Sequence, residues 1–133
     1  MNRFLFLLSA VPLLLAGCKD DRQNMLGLWK GADSGTSFRA CSVTKAPDGS
    51  GLHLRLFTTY TQDTKAVDWV TGYARPMHPG DTVTRKAGKL TYDGERAAWI
   101  WKAEKDAIPV RLADKDHLIL DYPFDPEVFT RAE

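Results

Sequence analysis

The side chains that could carry chemistry are few and scattered. Cys18 is one of two cysteines. It follows Leu15-Ala16-Gly17 and precedes the charged cluster Lys19-Asp20-Asp21-Arg22. Its thiol is a soft nucleophile. Ala16 and Gly17 are small, and Leu15 is apolar. The three histidines, His53, His78 and His117, form neither an H-x-H nor an H-x-x-x-H pair, the spacings that put two imidazoles on one metal. Asp114, Asp116 and His117 cluster, but in turn-forming sequence that reads as a solvated loop. No G-x-S-x-G elbow is present. Asp68 beside Trp69 and Asp121 beside Tyr122 are the carboxylates with the most apolar neighbours. These residues make no catalytic constellation, so the sequence predicts a chain that is not an enzyme and that needs no metal or cofactor.

The setting of Cys18 is more informative. Met1-Asn2-Arg3 is a short basic start, and Phe4 to Leu15 is apolar except for Ser9 and Pro12. The apolar run is shorter than the roughly 18 residues expected of a spanning helix, and proline fits a helix interior badly. This is the pattern of an export signal. Its last four residues resemble the lipobox of bacterial lipoproteins. The resemblance covers residues 1–18 and implies three things. A peptidase would remove residues 1–17. A diacylglyceryl group, palmitate-like in its chains, would be joined to Cys18 by a thioether. The new amino terminus would also be acylated. Lys19, rather than aspartate, after the cysteine implies the outer membrane, on its periplasmic face.

Removal of residues 1–17 leaves 116 residues, enough for one domain. Residues 18–24 read as a polar lipidated tether and residues 25–133 as a single periplasmic β-domain. The whole chain has 18 Lys+Arg and 17 Asp+Glu. Loss of Arg3 balances the charges, which excludes a general nucleic-acid binder and a polybasic membrane patch. With Cys18 lipidated, Cys41 has no intramolecular partner. It reads as a buried small apolar residue, with an intermolecular bridge as the alternative.

The elements that would position these groups are strands. Residues 25–30 and 36–44 read as the first two. Leu52, Leu54 and Leu56 alternate with His53 and Arg55 in a third, as in a sheet with one buried face. Further strands are expected at 67–74, 82–85, 89–92, 96–103, 108–112 and 117–122, with Ala87-Gly88 and Asp93-Gly94 as breaks. The fold class is therefore all-β: a small antiparallel meander of about eight strands, a barrel or a barrel-like sandwich. Asp125-Pro126-Glu127 reads as a helix start, predicting a short C-terminal helical turn.

Gly27-Leu28-Trp29 is similar to the G-x-W at the start of lipocalin-like barrels. The threonine–aspartate–tyrosine element that accompanies it there has only Asp121-Tyr122 as a counterpart. The resemblance implies a barrel architecture, with Trp29 in its core. Aromatic residues are many for so small a domain, and Trp69, Tyr73, Trp99 and Trp101 are candidate interface or ligand contacts. Together these features point to a lipid-anchored module that binds another protein of the cell envelope, of the kind seen in assembly factors, secretion pilotins and inhibitor or immunity lipoproteins. The alternative is a lipocalin-like carrier of a small apolar ligand. The two differ in whether Leu52, Leu54, Leu56, Trp99 and Trp101 meet in a packed core or line a void.

Overall fold

The computed structural model describes residues 22–132. Cys18 and the signal-like segment lie outside the described residues. Ten strands follow a helical turn at residues 22–25. They are β1 (Gly27–Asp33), β2 (Ser37–Lys45), β3 (Leu52–Tyr60), β4 (Thr64–Val67), β5 (Ala74–Met77), β6 (Thr82–Asp93), β7 (Ala98–Ala103), β8 (Asp106–Asp114), β9 (His117–Leu120) and β10 (Glu127–Arg131). Eight of them close a barrel in the order β1-β10-β9-β8-β7-β6-β3-β2, and β4 and β5 form a separate two-stranded sheet. Every pairing is antiparallel. The topology is an up-and-down meander with one hairpin inserted between its third and fourth barrel strands.

Alternation builds the interior. On β3, Leu52, Leu54 and Leu56 point inward beside Cys41 and Val43 of β2. Trp101 of β7 fills the middle and donates its indole N–H to the Leu54 carbonyl at 3.2 Å. Trp29, Leu90, Val110, Leu118, Leu120 and Phe129 complete the cluster, each almost wholly covered. An eight-stranded barrel has an interior just wide enough for side chains to fill, and here they fill it.

Four expected readings are corrected. The tail is strand β10, not a helical turn. Glu127, Phe129 and Arg131 turn inward while Val128 and Thr130 face out. β10 pairs with both β9 and β1, so it closes the barrel. The one helical turn among the described residues is at 22–25 instead, and Met25 ends it rather than beginning a strand. Residues 82–93 are one long strand, not two. Gly88 breaks nothing: a Cβ there would stand 1.8 Å from the Lys102 carbonyl oxygen, so glycine allows β6 and β7 to approach. Finally, 67–74 is not a strand but the tip of the hairpin, with Val67 ending β4 and Ala74 opening β5.

Antiparallel registers give the barrel two distinct rims. The N-terminal rim gathers Gly27, Lys45, Leu52, His117 and Arg131. The helical turn seals it: Trp29 Nε1 donates to the Met25 carbonyl at 2.9 Å, and the Arg131 guanidinium lies 4.2 Å from the Trp29 ring centroid. Arg131 also donates to the Leu26 carbonyl at 3.1 Å and to the Asn24 carbonyl. The opposite rim carries the ends of β3 and β9 and the starts of β6, β8 and β10, and the β4–β5 hairpin leaves from it.

Candidate interaction surface at the hairpin rim

The hairpin is anchored at its base and ordered at its tip. Met77 is buried on the face it shares with Ala66 and Arg75, which turns toward the barrel. Below it, His78 Nδ1 lies 2.9 Å from Asp63 Oδ1, and the His78 amide donates to Asp81 Oδ2 at 2.8 Å. Tyr60 and Gly80 add two backbone bonds between the end of β3 and this base. At the tip, Asp68 Oδ1 accepts from the amides of Val70 and Thr71. The Asp68 backbone closes the loop through Tyr73 O and Gly72 N, with Gly72 at φ 74°, where a side chain is disfavoured. The Thr71 hydroxyl accepts from the Tyr73 amide at 3.2 Å.

This bonded tip presents apolar side chains to solvent. Trp69 is 92% exposed, Val70 94% and Tyr73 67%. Phe124, in the β9–β10 connection across the same rim, is fully exposed. Single exposed apolar residues are common on any protein, whereas a cluster on a preformed loop is a candidate interaction surface. Aromatic residues on a rigid support lose little side-chain entropy on binding. Between the hairpin and β6 lies an open cleft of about 540 Å³, walled by Trp69, Tyr73 and Val83 and carrying Arg75 and Arg85.

Charged side chains pair at the same rim of the barrel. Arg39 lies two residues before Cys41, and Glu127 two before Phe129, so each shares the inward face of its strand. They form a two-pronged pair, Nε–Oε2 at 2.5 Å and Nη2–Oε1 at 3.1 Å. The carboxylate keeps the Arg39 guanidinium charged by raising its pKa. Lys86 and Asp106 form a second pair at 2.8 Å, and this bond raises the pKa of Lys86. Burial pushes up the Tyr122 phenol nearby and, deeper, the Cys41 thiol. Cys41 is fully covered and held as an inert thiol, with no access for an intermolecular bridge.

The structure thus separates the four aromatic candidates. Trp69 and Tyr73 stand together at the tip. Trp99 and Trp101 are core residues and offer no interface, because β7 turns both rings into the barrel. Leu52, Leu54, Leu56, Trp99 and Trp101 meet in one packed cluster. Trp29 is core, as expected. The histidines stay apart: His78 lies against Asp63, His117 against Asp114 at 2.8 Å, and His53 on β3. The His117 bond lowers the Asp114 pKa. Arg75 and Arg85 are the cleft residues that sequence patterning missed. No protein-family model matches the chain, and neither a curated protein nor a solved structure similar to it was found.

Proposed function

We propose that this chain is a non-enzymatic protein-binding module of the bacterial cell envelope. A lipid on Cys18 anchors it, most simply at the periplasmic face of the outer membrane, and it engages its partner through the β4–β5 hairpin. The observation that carries this reading is the exposed Trp69–Val70–Tyr73 tip, braced by its own hydrogen bonds, on the rim opposite the one where the chain enters the barrel. Cys18 stands four residues before Arg22, a reach of roughly 13 Å at most. A lipid there would keep the N-terminal rim at the membrane surface. The hairpin would face away from it, one barrel length out, where a soluble or membrane-borne partner can be met.

The carrier alternative has less support. Large side chains fill the interior, and the part-buried Arg39–Glu127 pair points into the barrel at the hairpin rim. Assembly factor, pilotin-like protein and inhibitor or immunity protein all remain within the proposed class.

The test is cross-linking in living cells. A photo-reactive amino acid at position 73 should give one dominant protein adduct, whereas the same group at Lys115, on the opposite rim, should not. Cys18→Ser should release the protein from the membrane fraction and weaken the adduct. Equal adduct patterns at positions 73 and 115 would sink the docking assignment. Unchanged membrane association of Cys18→Ser would sink the anchor.

A further inference from the structure

We infer that the cleft between the β4–β5 hairpin and β6 is a carboxylate-recognition site, receiving an acidic residue flanked by apolar side chains on the partner protein. This rests on the protein-binding reading above and adds the chemistry of what is bound.

The argument begins with a bulge. β3 pairs with β2 in unbroken register from Leu52 to Tyr60. Against β6 its register slips by one: Leu56 faces Lys86, but Phe57 faces Thr84. Arg85 is therefore the extra residue of a β-bulge on β6. Bulges re-aim a side chain, and they recur beside functional sites. Here the bulge brings Arg85 to the cleft, where its Nε donates to the buried Thr58 hydroxyl at 3.0 Å. That bond holds the guanidinium plane and leaves its terminal nitrogens for a ligand. Arg75 reaches the same cleft from β5, on the hairpin face that turns toward the barrel.

Among the described residues, neither guanidinium has a carboxylate partner, whereas Arg39, Arg96 and Arg111 each do. Asp68 is the acid on the cleft wall, and its carboxylate already accepts from the Val70 and Thr71 amides. Two guanidiniums in a cleft also lined by Trp69 and Tyr73 thus leave a positive site with apolar walls. Arginine binds a carboxylate through a planar fork of parallel hydrogen bonds. An acidic side chain with apolar neighbours matches both the charge and the walls.

Tryptophan fluorescence reads the cleft selectively, because Trp29, Trp99 and Trp101 are buried and Trp69 is exposed. The mature chain is titrated with two pools of end-blocked hexapeptides, aromatic and aliphatic at the flanks. One pool has aspartate or glutamate at the centre, the other asparagine or glutamine. The acidic pool is expected to shift Trp69 emission to the blue, shield it from acrylamide, and bind at least about tenfold more tightly than the amide pool. Arg75→Gln and Arg85→Gln should each abolish that preference with an unchanged far-ultraviolet circular dichroism spectrum. Should loss of the Thr58 bond unfold Arg85→Gln, Arg75→Gln decides alone. Equal binding of the pools, binding of neither, or a shift produced only by phosphatidylglycerol vesicles would overturn the inference. In cells, an adduct at position 73 that survives Arg75→Gln unchanged would overturn the carboxylate site while leaving protein binding intact. Absence of any adduct would remove the underlying reading itself.

Discussion

At the N-terminal rim Trp29 is wholly covered, its indole N–H bonded to the Met25 carbonyl and its ring under Arg131. At the opposite rim Trp69 stands in solvent on a loop whose backbone is bonded within itself. The same side chain serves opposite ends. In the first setting the protein satisfies both the apolar ring and the polar nitrogen, so the residue stabilises the fold. In the second it satisfies only the backbone beneath the ring. The ring's apolar surface contributes nothing to folding and remains available to a partner. The comparison teaches that aromatic content alone is ambiguous, and that the bonding of the supporting backbone resolves it.

Substitutions separate the two settings most widely at tryptophan. Trp101→Ala should cost about 3–5 kcal/mol, because it empties the middle of the core and removes the indole bond to the Leu54 carbonyl. That is a large share of a small domain's stability, and the urea midpoint should fall steeply or the protein should not fold. Trp69→Ala should change stability by no more than about 0.5 kcal/mol, yet lose the adduct at the tip. A large stability loss for Trp69→Ala would break the comparison. Gly88→Ala comes next. Its Cβ would collide with the rigid Lys102 backbone rather than with a movable side chain, so β6 and β7 must separate locally, at about 3 kcal/mol by urea denaturation.

Glu127→Gln probes the closed interior of the hairpin rim. It leaves Arg39 charged and pointing into the barrel without a counter-charge. The two side chains are 38% and 20% exposed, between the cases of a surface pair and a buried one. The expected loss is about 1–2 kcal/mol, read by thermal or urea unfolding. Arg39→Met with Glu127→Leu together should recover most of it, because an apolar pair removes both charges at once.

How much of this could be read from the sequence depends on where each determinant lies. Strands β2, β3 and β7–β9 were legible because alternation is local: Leu52, Leu54 and Leu56 declare an inward face without reference to any partner. β10 was not, because Asp125-Pro126-Glu127 carries a helix-start pattern and only pairing with β1 and β9 overrides it. Gly88 looked like a break because a glycine required by close strand approach is indistinguishable, in sequence, from one required by a turn. Trp69 and Tyr73 were legible as candidates by aromatic type alone, on a segment that read as a strand. Trp99 and Trp101 were grouped with them because side-chain type does not report which way a strand faces. Arg85 could not be found at all: its place follows from a register slip between two strands, and a slip belongs to the pair.

The smallest expected effect sharpens the comparison further, because it touches the hairpin and not the barrel. Asp63 and His78 bond across the hairpin base, one residue beyond the Thr64–Met77 pair. The Asp63 carboxylate, with a lesser contribution from Asp81, raises the His78 pKa above its ordinary 6.5. The folded hairpin therefore prefers protonated His78. Its contribution is complete below the unfolded value and is lost as pH rises through the higher folded value. Both groups are largely exposed, so the effect is confined to the hairpin and screened by salt. Amide resonances of the tip, Val70 to Tyr73, should titrate with His78 at a pH above the ordinary imidazole value, with lower amide protection factors on the alkaline side. Those of Leu54 and Trp101 should stay fixed. His78→Gln should abolish the tip's titration and leave the unfolding midpoint of the barrel unchanged. If the core resonances moved in parallel, hairpin and barrel would be one cooperative unit, and the hairpin's rigidity would come from the barrel rather than from its own bonds.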